Sequence, residues 1–208
     1  AGIRAARHPI VVVLNNDTRA ASNLLIELHQ ALETDPRIGA TAPVSNHVKG
    51  PAQLPVGSQG RDAETRRAIA DALGEARATS LQDVDTLAGL CLMMRRTTLA
   101  ESGLFDERFG HGNFEDDDLC LRLRLLGYRL VIVHTAFLHH EGHATFRALG
   151  LELSEQLARR RAQFVAKWQH DPAGRATIAA LHGDLETAAA AAMAARAQWP
   201  CWPDADWH

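Results

Sequence analysis

The strongest constraint on this chain is the run Ile10-Val11-Val12-Val13-Leu14 and the polar stretch just after it. Five consecutive apolar residues, four of them β-branched, suit a strand covered on both faces, as strands are inside a parallel sheet. Pro9 closes a short helical turn over residues 1–7 just before the run. The polar Asn15-Asn16-Asp17-Thr18 then stands at the strand's carboxyl end. In open α/β sheets that is where ligands bind. The expected class is therefore α/β.

Later segments fit this class. Leu24, Leu25, Leu28 and Leu32 recur at helical spacing, with Thr18 or Ser22 as the expected cap. Residues 39–44 read as a short strand ending at Pro43, and residues 45–60 as a loop carrying several Gly and Pro. Residues 63–77 read as a charged, alanine-rich helix and residues 86–94 as a strand, with Gly89 marking a close backbone approach. Residues 97–102 form a short helix stopped by Gly103, and residues 115–126 an amphipathic helix stopped by Gly127. A strand over 128–133, a turn-rich histidine segment over 134–146 and a basic helix over 150–168 come next. After Asp171-Pro172 alanine dominates. This divides the chain into a domain over 1–170 and a helical hairpin over 171–208, broken at Gly183.

Composition narrows the setting. A chain of 208 residues that is 46% hydrophobic can bury a real core. A formal charge of −3 and a pI near 6.4 argue against a dedicated nucleic-acid binder. Three cysteines, Cys91, Cys120 and Cys201, form no CxxC pair, which favours a reducing compartment and a cytoplasmic location. No run approaches the roughly 20 apolar residues of a membrane span, leaving peripheral attachment to a membrane open. The tryptophans at 199, 202 and 207 suggest a partner surface or further chain beyond them.

Three polar clusters can carry chemistry. Asp17 at a strand end is either a turn residue or a ligand for a hard metal facing phosphate. Glu115-Asp116-Asp117-Asp118 exceeds what a helix N-terminus needs. Crowded acids raise one another's pKa, and a raised carboxylate beside a cleft can act as a general base. Asp118 and Arg122 lie four apart, so a salt bridge accounts for those two. His139-His140-Glu141-Gly142-His143 misses the HExxH metalloprotease pattern by one residue, because Ala144 stands where the second histidine belongs. His139 and His143 would make a metal pair on a helix, although Gly142 argues against a helix there. No GxxxxGK[ST], GxGxxG or GxSxG motif is present.

The order of these clusters carries a resemblance. It runs from Asn15-Asn16-Asp17-Thr18 through Ala88-Gly89-Leu90-Cys91-Leu92 to Gly103-Leu104-Phe105-Asp106-Glu107-Arg108-Phe109. Phe114-Glu115-Asp116-Asp117-Asp118-Leu119-Cys120-Leu121-Arg122, Gly127-Tyr128-Arg129 and His140-Glu141-Gly142-His143 come after, and Ala42-Pro43-Val44-Ser45-Asn46 fits a subset. Over residues 1–147 this resembles the bacterial family 2 glycosyltransferases of GT-A fold. The resemblance implies an incomplete GT-A-like, Rossmann-like mixed sheet flanked by helices. It implies transfer of a sugar, with inversion, from a nucleotide-sugar donor to a hydroxyl of a glycan, lipid or protein acceptor. Asp17 then matches the last acid of the Asp-x-Asp metal motif, with Asn15 in place of the first. Asp116 matches the catalytic base and Glu115 its orienting neighbour. His140 matches the histidine that completes the site for Mg²⁺ or Mn²⁺, with His139 as the fallback. Asn15, Asn16, Gly89, Cys91 and His139 are the implied substrate-binding positions.

In that family the nucleotide base is gripped by βαβ units ahead of the Asp-x-Asp strand. This chain starts one helix before that strand. The resemblance therefore expects the nucleotide-gripping part to be missing here, with a non-catalytic remnant acting as a binding or scaffold module as the alternative. A metal hydrolase built on the acid and histidine clusters ranks below both. Gly183-Asp184-Leu185-Glu186 with Ala188, Ala195 and Pro200 resembles the second helix of a tetratricopeptide repeat.

Overall fold

The structure is a computed structural model that describes residues 2–55, 59–75, 81–110, 113–142, 153–181 and 183–198. One mixed sheet of six strands organises it: β1 (Ile10–Leu14), β2 (Thr18–Ala20), β3 (Ile38–Ser45), β4 (Leu81–Val84), β5 (Cys91–Arg95) and β6 (Arg129–His140). The strands run β1-β5-β3-β6-β2, and β4 pairs with the first half of β6. Only the central β3–β6 pair is parallel. A two-residue step between faces places Leu130 and Ile132 in one core layer and Val131 and Val133 in the other.

Each layer is covered by at least one helix. α2 (Leu24–Thr34) buries Leu24, Leu28, Ala31 and Leu32 with Val131 and Val133. α5 (Glu115–Leu125) buries Leu119, Cys120 and Leu123 with Leu130 and Ile132. Each such leucine contributes about 1.5–3 kcal/mol on leaving water. The remaining helices are α1 (Gly2–Ala5), α3 (Ala63–Glu75), α4 (Arg96–Ser102), α6 (Leu153–Trp168), α7 (Pro172–Leu181) and α8 (Leu185–Gln198). α6 fixes its Phe164 beside Phe109, Phe114 and Ala173. Ala176 of α7 and Ala191 of α8 bury together. No helix among the described residues is long and apolar enough to cross a membrane.

Several sequence expectations are corrected. β1 is antiparallel to β5 and, among the described residues, has that one neighbour, so Val12 and Val13 are only half-buried. An apolar run reports a strand without reporting its direction, its place in the sheet or how deeply it is buried. β3 does not stop at Pro43 but continues to Ser45. Its ladder to β5 covers Ala40 and Thr41, and a register shift comes after Pro43, so the missing N–H breaks no central pairing. The strand expected over 86–94 begins at Cys91, and residues 86–90 are irregular. Residues 134–140 of the histidine segment form the second half of β6 rather than a turn, and residues 143–146 lie outside the described residues. Residues 134–136 bulge between the pairs Pro43↔Val133 and Val44↔Phe137, and pairing then resumes to His140. Thr18 belongs to β2, and Asn23 rather than Thr18 or Ser22 occupies the start of α2. His143, Cys201 and the terminal tryptophans lie outside the described residues.

Candidate active site

Strand ends, the loop after β3 and the start of α5 line one cavity of about 970 Å³. Asp17 enters from the turn between β1 and β2. The register Thr18↔His140 and the bond from Glu141 N–H to the Asp17 carbonyl (3.0 Å) bring Asp17 and His140 together. Asp17 Oδ1 lies 3.2 Å from His140 Nε2, and both side chains are largely buried. The other ring nitrogen, Nδ1, is 2.8 Å from the His47 carbonyl oxygen.

The acidic cluster enters from the opposite wall. Asn113 and Phe114 both adopt φ of 70°, a left-handed conformation uncommon for residues other than glycine. This entry turns the first residues of α5 toward the cavity, while Phe114 packs against Phe164 with ring centroids 5.6 Å apart. Asp116 Oδ2 accepts from Gly89 N–H (2.7 Å) and Oδ1 from Asp117 N–H (3.0 Å). Each oxygen keeps a further lone pair. Burial raises the pKa of Asp116, and the backbone donors oppose the rise. Burial, then the Asp116 charge, pushes Glu115 up to about 7. The same causes, with Glu115 added, push Asp117 up to about 8, and Lys49 opposes the shift. Glu115 Oε2 and Asn113 Nδ2 are buried without a hydrogen-bond partner among the described residues. Asp118 faces away from the cavity. Its carboxylate binds Arg122 (2.9 Å), as the i,i+4 spacing suggests, and also Lys167 (2.5 Å) and Trp168 Nε1 (2.8 Å).

Of the residues singled out from sequence, Asn15, Asn16, Asp17 and Gly89 share this cavity with Glu115, Asp116 and His140. Cys91 and His139 do not line it. Cys91 is fully buried in the α2 layer, and burial pushes its thiol up to about 12. His139 is buried at the strand position beside His140, with its Nε2 3.4 Å from Glu141. Neighbours on a strand face opposite ways, so only one of the two histidines can look into the cavity. The same geometry removes His139 from any helical metal pair. Sequence reasoning missed Asp117, Lys49 and His47 as lining residues, and gave Asn46 no role although it belongs to one of the ordered blocks.

The donor set suits a divalent cation. One carboxylate and one imidazole converge, and Mg²⁺-type sites commonly combine one or two carboxylates with phosphate oxygens and water. Among the described residues no group of three or more His, Cys, Asp or Glu forms a closed metal site.

The sheet flanked by helices, with an Asp–His pair and an acidic helix start on one cavity, shares the fold of a GT-A glycosyltransferase. A crystal structure of GalNAc-T7 with UDP, GalNAc and Mn²⁺ matches it with a TM-score of 0.55. That match covers 96% of this chain and 40% of GalNAc-T7 at 15% identity, a likeness of fold. The chain belongs to the glycosyltransferase-like family 2, whose profile matches residues 1–163. It is also 42% identical over 69 residues to the N-acetylglucosaminyl-diphospho-decaprenol L-rhamnosyltransferase of two Mycobacterium tuberculosis strains. That stretch is 33% of this chain and 22% of the relative's length.

Proposed function

We propose that this chain carries the reacting site of an inverting, metal-assisted glycosyltransferase. It would move a sugar from a nucleoside-diphosphate donor to an acceptor hydroxyl. The observation that carries the reading is that the Asp17–His140 pair and Asp116 line the same cavity. Asp17, Glu115, Asp116 and Asp117 make that cavity acidic, with Lys49 as a cation on its wall. Mg²⁺-type ions bind through one or two carboxylates together with substrate phosphates, so a diphosphate would enter with a divalent ion. When bound at Asp17 and His140, that ion would offset charge on the departing diphosphate.

The chain's own groups supply the rest. Asp116, with burial raising its proton affinity, takes the proton of the attacking hydroxyl. The hydroxyl oxygen forms its bond to the anomeric carbon from the face opposite the leaving group. The bond from that carbon to the diphosphate oxygen breaks, and its electron pair leaves with the diphosphate. The proton passes from Asp116 to solvent. Gly89 N–H holds the Asp116 carboxylate in place, and the unpartnered Glu115 oxygen beside it is suited to a second acceptor hydroxyl. The mycobacterial relative is named for an acceptor sugar on a diphospho-lipid, which supports a lipid-linked sugar among the acceptor classes.

Calorimetric titration of the whole chain with UDP or dTDP, with and without Mn²⁺, tests the donor half of this reading. Metal-dependent binding supports it. A folded chain that binds no nucleoside diphosphate would favour the non-catalytic remnant. Asp116→Asn tests the base: transfer should vanish with the fold intact, and retained turnover would remove Asp116 from that role.

A further inference from the structure

The loop after β3 touches His140 through three hydrogen bonds and through the His47 ring, which stands edge-on to the His140 ring with centroids 5.6 Å apart. The Asn46 side chain forms an amide pair with the His140 backbone: Oδ1 accepts from the N–H at 2.8 Å and Nδ2 donates to the carbonyl at 3.1 Å. β3 ends at Ser45, paired with Leu138, so the Asn46 side chain continues that ladder past the strand's last residue. The third bond is to the His47 carbonyl, 2.8 Å from His140 Nδ1. A carbonyl oxygen has no proton to give, so Nδ1 must donate and must carry the proton. The other nitrogen, Nε2, then points at Asp17 Oδ1.

The loop is itself tied down. Gln53 Nε2 donates to the Asn46 carbonyl (2.8 Å), and Gln53 Oε1 accepts from Val48 N–H (2.9 Å). Backbone bonds from Ser45 N–H to the Ala52 carbonyl (2.9 Å) and from Leu54 N–H to the Ser45 carbonyl (2.8 Å) close its base. The Asn46 amide and the His47 carbonyl are therefore presented from a fixed frame.

We infer that Asn46 and the His47 carbonyl are positioning groups for His140: they fix its tautomer and aim Nε2, beside Asp17, at the cation of a metal–diphosphate ligand. This rests on the proposed reading of Asp17 and His140 as the metal pair. Groups that orient a metal-binding histidine typically change metal affinity by about 10- to 100-fold when removed. Asn46 touches no reacting atom in this scheme and acts only through His140. Substitution at residue 47 keeps the carbonyl and removes only the ring that stands edge-on to His140, so it separates the carbonyl's effect on the tautomer from the ring contact.

The test uses the full chain with selectively ¹⁵N-labelled histidine. Long-range ¹H–¹⁵N spectra should show a proton on His140 Nδ1 both with and without metal, whereas Nε2, facing the Asp17 carboxylate, is free to carry a second proton until a cation takes its place. Asn46→Ala should spread His140 over both tautomers and weaken Mn²⁺–UDP binding about 10- to 100-fold, with circular dichroism unchanged. Gln53→Ala, which loses the loop hydrogen bonds of a residue that also lines the cavity, should shift the tautomer the same way to a smaller degree, and this spectral readout serves if Asn46→Ala does not fold. His47→Ala should keep the wild-type tautomer. A neutral wild-type His140 with its proton on Nε2 would overturn the inference. So would an Asn46→Ala protein with wild-type tautomer and wild-type Mn²⁺–UDP affinity. A fixed Nδ1 proton in a wild-type chain that binds no Mn²⁺–UDP would overturn the metal reading beneath it, so the two failures are distinct.

Discussion

Gly89 and Asp116 are joined twice. The Gly89 N–H donates to Asp116 Oδ2 at 2.7 Å, and a Cβ placed on Gly89 would lie 3.2 Å from both the Cβ and Oδ2 of Asp116. That approach is tighter than ordinary van der Waals contact, so an alanine would push the carboxylate by a few tenths of an ångström. Misplacement near 1 Å can lower a rate about 100-fold. Gly89→Ala is expected to reduce kcat by about 10-fold while the thermal midpoint barely moves, because no left-handed backbone is at stake. Steady-state kinetics beside a thermal melt checks it. Unchanged kcat would show that Asp116 has slack.

The crowded acids should make stability depend on pH. Glu115 rises to about 7 and Asp117 to about 8, both through burial first. Unfolded carboxylates titrate near about 4. Between those values the folded chain holds more protons than the unfolded one, so stability falls as pH rises. The favourable contribution is complete below about pH 4 and lost as pH passes through 7 to 8. The metal-free protein should melt at a lower temperature at pH 8.5 than at pH 5.5, and Asp117→Asn should flatten the slope. An equal slope in that variant would remove Asp117 as the cause.

The two halves of β6 show what is legible in sequence and what is not. α5 announces itself locally: acids at its start, Leu119 and Leu123 on one face, Gly127 with φ of +83° just past its end. All of that lies within a dozen residues, and the structure matches it. The histidines of β6 read locally as a turn, because Gly142 and polar neighbours surround them. Their strand conformation comes from β3 and β2, and the Asn46–His140 bonds span 94 residues. β1 misleads for the same reason. Its apolar run is local, whereas its direction and its single described neighbour depend on β5. Asp17, Asp116 and His140 can be named from sequence because their blocks are short and ordered. Asn46 has a place in a block but no local sign of its contact with His140.

Asp118 anchors α6 onto α5 and is predicted to matter for stability rather than chemistry. Its fully buried carboxylate holds Arg122, Lys167 and Trp168 together. Lys167 also reaches Asp106 at 2.8 Å. Removing one partner of a buried ionic cluster typically costs about 3–5 kcal/mol, because the remaining charges lose their compensation. Asp118→Ala should lose about that much in urea unfolding. Trp168→Phe, which deletes one charge-assisted hydrogen bond, should lose about 1.5–3 kcal/mol. A loss below about 1 kcal/mol for Asp118→Ala would mean that water replaces the network.

Asp17 and His140 should act as one unit toward a cation. Their facing atoms are 3.2 Å apart, and one ion bridging them would need both. Asp17→Asn leaves a neutral amide oxygen and His140→Ala leaves a gap, so each alone should weaken Mn²⁺-dependent UDP binding at least about 10-fold. If both hold the same ion, the double variant should be little worse than the weaker single one. Residues that share a partner are not additive. Calorimetry on the four proteins completes the cycle, and EDTA should bring wild type down to the level of the double variant. Fully additive losses would mean that Asp17 and His140 meet the ligand independently. The shared-ion reading of the site would then fail even if both residues contribute to binding.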